Sequence, residues 1–160
     1  MLNFLKKKKS TDMSIYSPAD GVCSDITTCS DPVFANKMIG DGFLVQSTSN
    51  IVKSVCNGKV TLVFPTKHAI GITMDNGQEI MIHIGIDTVK LKGVGFKQLV
   101  NVNDRINVGD PLIELDLDYL KKQDLDLSII VIMLNDLEIA YNKEHLNEVV
   151  EAQTKIIKRE

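Results

Sequence analysis

The stretch KHAIGITMDNGQEIMIHIG, residues 67–85, holds two alternating runs around Asn76-Gly77. In its second run the even positions Ile80, Ile82 and Ile84 are isoleucine, a pattern that Ile86 continues. The odd positions carry Glu79, Met81, His83, Gly85 and then Asp87. Period-two alternation marks a strand with one buried face, and Asn-Gly between two such runs is the strongest short-range hairpin signal. If Asn76 and Gly77 form a two-residue loop, Asp75 pairs with Gln78. Ile70 then lies opposite His83, His68 opposite Gly85, and Thr66 opposite Asp87. Directly paired residues share a face. This register therefore predicts Thr66, His68, His83, Gly85 and Asp87 on the face away from the isoleucines. The histidines become diagonal neighbours, roughly 7–8 Å apart at the backbone, and Gly85 leaves space beside His68.

Outward from the hairpin, short apolar runs are punctuated by SPADG (17–21), CNGK (56–59), KGVG (92–95) and NVGDP (107–111). Such regular turn signals predict an all-β fold, a single antiparallel β-sandwich or barrel-like domain with short helical segments. SIIVIML (128–134) reads as a buried strand and KIIK (155–158) as a closing one. LDYLKKQDLD (117–126) suits one or two helical turns, and NDLEIAYNKEHLNEVVEAQ (135–153) reads as the one longer helix.

With 160 residues, 44% apolar and 24% charged, the chain can bury one sizeable core. A net charge of −3 supplies no broad basic field, which argues against nucleic acid as a partner. No apolar run approaches the roughly 20 residues that cross a bilayer, and no signal peptide is evident. Cys23, Cys29 and Cys56 are odd in number and lack CxxC spacing, so they read as free thiols of a reducing cytoplasm. The opening MLNFLKKKKS stands apart: Met1, Leu2, Phe4 and Leu5 beside Lys6–Lys9. Residues 1–14 read as a flexible basic amphipathic leader, with residues 1–10 suited to weak membrane-surface contact. The domain occupies 15–160. The expected location is cytoplasmic, peripheral to the inner face of the membrane.

Two imidazoles, a hydroxyl and a carboxylate on one face suit a nucleophile with helpers. A neutral imidazole is nucleophilic near pH 7 without a strong base. One histidine can take a phosphoryl group while the other donates a proton to its oxygens, and Thr66 can fix a ring tautomer. Two histidines on a half-exposed sheet are also often plain surface. A metal-binding β module lacks an obvious third ligand, and neither a metal nor a cofactor is called for. A lipoyl- or biotinyl-like carrier needs a lysine at a hairpin tip, where this chain has Asp75-Asn76-Gly77. No nucleotide-binding loop or GxSxG is present. His145, within NKEHLNE, reads as solvated. Phe34, Met38, Ile39, Phe64 and Met81 read as core by default, and as a partner-docking patch if exposed.

VFANKMIGDG (33–42), TKHAIGI (66–72), MIHIGIDTVKLKGVGF (81–96) and VNDRINVGDPLIELD (102–116) resemble the glucose-type enzyme IIA domain of the bacterial phosphoenolpyruvate-dependent sugar phosphotransferase system. The most specific part is HxGIDTVxLxGxGF with a second histidine upstream. The resemblance implies an antiparallel β-sandwich that carries phosphohistidine. His83 matches the phosphoryl-accepting residue, His68 the accessory histidine that stabilises the phosphate, Thr66 the threonine that orients it, and Asp87 the aspartate that modulates the site. It implies HPr as donor, a sugar-specific IIB domain as acceptor, and regulated permeases or enzymes as further partners. It also implies an apolar docking ring of Val33, Phe34, Met38, Ile39, Phe64, Met81 and Val89. One departure is SVCNGKV (54–60), where the family commonly has a Pro-x-Asp-Gly turn; Gly58 is kept.

Overall fold

The structure, a computed structural model, describes residues 12–159. Residues 1–11 of the leader, and with them the expected membrane contact, lie outside the described residues. Strands are numbered along the chain. The largest sheet runs β13 (Glu148–Val150), β2 (Gly21–Asp25), β3 (Asp41–Ser47), β11 (Ile129–Met133), β7 (Glu79–Ile84), β6 (Ala69–Met74), β5 (Gly58–Val63), β9 (Arg105–Ile106). One smaller sheet orders β1 (Ile15–Tyr16), β14 (Lys155–Lys158) and β12 (Asn142–Lys143). The other orders β4 (Ile51–Lys53), β10 (Pro111–Leu115) and β8 (Phe96–Gln98). All these pairings are antiparallel. The result is the antiparallel sandwich that the alternating pattern predicts.

Its main core lies between the sheets. Ile80, Ile82 and Ile84 of β7 join Ile70 and Ile72 of β6, Phe43, Val131, Leu112 and Ile156, all at most 1% exposed. The hairpin register differs from the two-residue expectation. Ile80 pairs with Ile72, Ile82 with Ile70, and Ala69 with His83. The loop has three residues, Asp75-Asn76-Gly77: Gly77 N–H donates to the Met74 carbonyl (3.0 Å) and Met74 N–H to the Gln78 carbonyl (2.8 Å). Gly77 adopts φ +90°, the left-handed residue that closes a three-residue hairpin. A two-residue loop would set Ile70 and Ile72 on the opposite face from the β7 isoleucines. The observed register buries both sets together, so burial outweighs the dipeptide preference.

Behind the large sheet sits a second apolar cluster of Ile26, Cys29, Phe34, Leu44, Ile130 and Ile132, with Met81 packed half-buried against it. A 3-10 turn at Ile26–Thr28 and helix α1 (Pro32–Ala35) cover that part of the face. Asp31 caps α1 by accepting from Val33 N–H at 2.9 Å. Helix α2 (Leu117–Lys121) is one short helix, capped by Asp116 accepting from Tyr119 N–H (3.1 Å).

The helix expected over 135–153 does not form. That segment holds β12 and β13 with left-handed residues at Glu138, His145, Asn147 and Gln153, a conformation no right-handed helix accommodates. Pairing Val150 with Gly21 and Lys143 with Ile157 extends two sheets instead. The three cysteines are free and buried. In the departing turn, Asn57 Oδ1 accepts from Val108 N–H (2.8 Å), so asparagine keeps an acceptor there. A Cβ on Gly58 would stand 2.3 Å from the Thr73 carbonyl oxygen, which explains the retained glycine.

Candidate active site

His83 faces away from the isoleucine core because it alternates with Ile82 and Ile84 on β7. Its neighbours across the sheet are Ala69 on β6 and Ile130 on β11. Ala69 is the small residue opposite the ring, so it, rather than Gly85, leaves the imidazoles room. A Cβ on Gly85 would meet Thr88 Cγ2 at 2.5 Å, and its backbone needs φ +76°. Gly85 therefore shapes the turn after β7.

His68 reaches His83 by a different route from the one predicted. It lies level with Ile84, whose N–H donates to the His68 carbonyl at 2.7 Å. Strict alternation would send its side chain into the isoleucine core. The strand begins only at Ala69, however, and the preceding Lys67 is left-handed at φ 59°. The turn from Phe64 to Lys67, closed by Lys67 N–H donating to the Phe64 carbonyl (2.7 Å), swings His68 to the other face. The two imidazoles stand 5.0 Å apart at their centroids and nearly perpendicular, at 82°. Thr66 Oγ1 hydrogen-bonds His68 Nδ1 at 2.7 Å, so His68 presents Nε2 to the site.

Two phenylalanines flank the pair. Phe34 from α1 lies 5.0 Å from the His83 ring, and Phe64 lies edge-on 5.3 Å from His68. Burial pushes the His83 pKa down to about 4, helped by the neighbouring His68, while the Gly85 backbone and the Asp31 carboxylate pull weakly upward. The Gly85 contact falls short of hydrogen-bond geometry, leaving His83 Nδ1 buried without a partner. His68 is also shifted down by burial. Both rings are therefore neutral at pH 7.

Asp87 does not share the strand face as the two-residue register requires. It follows the end of β7 in a left-handed conformation (φ 60°), exposed, with its carboxylate 3.8 Å from Lys90. The carboxylate whose field reaches His83 is Asp31. The Asp-Pro in SDPVF signals a helix start, but the reach of the Asp31 charge to His83 has no local signature in the sequence.

The apolar residues divide. Val33, Met38, Ile39 and Val89 are exposed, Phe64 and Met81 half-buried, and Phe34 buried under the histidine edge. One residue outside the expected ring belongs with them: Leu62 is exposed and aligns through Gly71 with Met81 across β5, β6 and β7. The arrangement is a shallow apolar surface around two neutral imidazoles, one pinned by a hydroxyl.

Residues 13–139 match the family described as phosphoenolpyruvate-dependent sugar phosphotransferase system, EIIA 1. Over 152 residues the chain is 43% identical to the PTS system glucose-specific EIIA component of Staphylococcus aureus, covering 94% of this chain and 92% of that one. The protein of the same description from Staphylococcus epidermidis is 42% identical over the same shares. Among solved structures, glucose permease IIA from Mycoplasma capricolum aligns with a TM-score of 0.85 at 33% identity, covering 92% of this chain and 96% of that one. The matched span holds Thr66, His68, His83 and the strands that present them, and the chain belongs to the EIIA 1 family of the phosphoenolpyruvate-dependent sugar phosphotransferase system.

Proposed function

We propose that the chain is a phosphocarrier that takes a phosphoryl group from phospho-HPr on His83 and passes it to a cysteine of a sugar-specific IIB domain. The observation that carries this reading is the perpendicular His68–His83 pair with Thr66 on His68 Nδ1. Attack through Nε2 requires the His83 proton on the buried Nδ1, on the side of the Gly85 backbone, so that the Nε2 lone pair faces the partner. Nε2 attacks phosphorus, its new N–P bond forms as the bond to the HPr histidine breaks, and the HPr imidazole leaves. In the second step the IIB thiolate attacks phosphorus, an S–P bond forms, and His83 regains its lone pair.

His68 supplies the electrostatic help. Thr66 O–H donating to Nδ1 keeps the remaining proton on Nε2, aimed at a phosphoryl oxygen. Phe34 and Phe64 keep water from the labile phosphohistidine. The exposed Val33, Met38, Ile39, Leu62 and Val89 suit brief docking of two different partners on one apolar surface. Asp87, exposed with its carboxylate 3.8 Å from Lys90, suits a partner's basic group. The carrier reading that needs a hairpin-tip lysine finds Asp75, Asn76 and Gly77 there.

The names of the relatives make glucose the first sugar to test. Protein loaded by phospho-HPr and freed of donor should hand its label to a glucose-type IIB domain within seconds. Label that stays on this chain, with a competent IIB control, would contradict the carrier role.

A further inference from the structure

Asp126 joins the elements that surround His83. Its Oδ2 accepts from Ser30 Oγ at 2.7 Å. Its Oδ1 accepts from Ser128 N–H at 2.9 Å and from Ser128 Oγ at 2.7 Å. Its backbone carbonyl accepts from Ile86 N–H (2.8 Å), and the Ser128 carbonyl accepts from Gly85 N–H (2.8 Å). One residue thus ties two segments together. The first, beginning at Ser30, carries Asp31 and the Phe34 ring that lies 5.0 Å from His83. The second is the turn just after His83, where Thr88 Oγ1 also donates to the Ile84 carbonyl at 2.5 Å. Those segments set what covers the imidazole and which backbone group its buried Nδ1 faces.

We infer that Asp126 is a positioning residue for phosphoryl acceptance: its carboxylate latches the Phe34 cover onto the Gly85 turn and so holds His83 in the attacking orientation. The inference rests on His83 being the acceptor. The carboxylate itself stays ionised, since its hydrogen bonds from Ser128 and Ser30 outweigh burial and lower its pKa. It touches neither imidazole. It acts through Ser30 and Ser128, and a latch lost at either end frees the cover. A misplacement of about 1 Å at the reacting atoms is enough to cost two orders of magnitude in rate.

The test compares wild type with Asp126→Ala, Ser30→Ala, the double variant and Asp126→Asn. Two quantities are read: the single-turnover rate of labelling by phospho-HPr, and the His83 ring titration by nitrogen-15 NMR without any donor. Asp126→Ala and Ser30→Ala should each slow labelling by about tenfold at saturating donor. Each should also move the His83 titration upward from about 4, because a loosened Phe34 cover lets water reach the ring. The double variant should be no worse than Asp126→Ala alone. Asp126→Asn can still accept from Ser128 and donate to Ser30, and should recover most of both readouts. If Ser30→Ala and Asp126→Ala lower only the melting temperature, with wild-type labelling and titration, the latch is overturned and Asp126 only stiffens a loop. Ser30 is exposed, so its variant keeps the test alive if Asp126→Ala fails to fold. Absence of labelling in wild type would instead defeat the phosphocarrier reading, while the NMR titration would still report on the latch.

Discussion

The proposed phosphoryl transfer rests on His83. With its pKa pushed down to about 4 by burial, the ring is neutral at working pH and keeps a lone pair for attack. Labelling by phospho-HPr should therefore stay flat from about pH 8 to about pH 5 and fall as pH approaches 4, since protonation removes the nucleophile. A decline beginning near pH 6.5 would contradict the buried, neutral ring. His68→Ala should still accept a phosphoryl group but transfer it onward roughly 10²-fold more slowly, the usual size of one lost donor to a transition-state oxygen. Thr66→Val should show a smaller loss with a changed His68 tautomer in its nitrogen-15 shifts. That Thr66, His68 and His83 lie in one hairpin was legible. The register that was to bring the histidines together was one residue off, and left-handed Lys67 brings them together instead. Asp31 was not legible. The reach of its charge to His83 depends on how α1 folds over the sheet, and nothing local in SDPVF records that.

Among the elements, the β6–β7 hairpin shows why a strand was easier to read than its register. Alternation located both strands and the buried face, yet Asn76-Gly77 suggested a loop one residue too short. The decisive term was burial of Ile70 and Ile72 beside Ile80 and Ile82, and one-residue slips flip every side chain. The histidines still meet because left-handed Lys67 turns His68 over, a backbone detail that composition does not encode. The stretch over 135–153 misled for a related reason. Its charged residues suit a helix locally, but strand partners waiting at Gly21 and Ile157 decided the outcome. Urea denaturation can test these elements. Ile82→Ala should cost about 2–5 kcal/mol as a buried cavity. Gly85→Ala should cost more than Gly77→Ala: both have positive φ, but only a Cβ at Gly85 meets an atom, Thr88 Cγ2, at 2.5 Å. Gly77→Ala, open to solvent, should cost about 1–2 kcal/mol.

At the scale of the whole molecule, one large sheet serves two purposes. Its isoleucine face makes the core, and the opposite face, half covered by Phe34 and its neighbours, holds the candidate site. Keeping a histidine there makes stability depend on pH. The unfolded chain binds a proton at His83 near pH 6.5, whereas the folded chain resists it until about 4. The unfolded state therefore binds more protons in that window, and stability is full above it and lost as pH falls through it. The melting temperature of wild type should drop more between pH 7 and pH 4.5 than that of His83→Gln; equal drops would place the His83 ring in water. The measurement that tests the central claim most directly is mass spectrometry after incubation with phosphoenolpyruvate, enzyme I and HPr. Wild type and His68→Ala should each gain one acid-labile, base-stable phosphoryl group, and His83→Ala none. Labelling of a folded His83→Ala, or no labelling of wild type with active HPr, would contradict the assignment of His83 as the phosphoryl carrier.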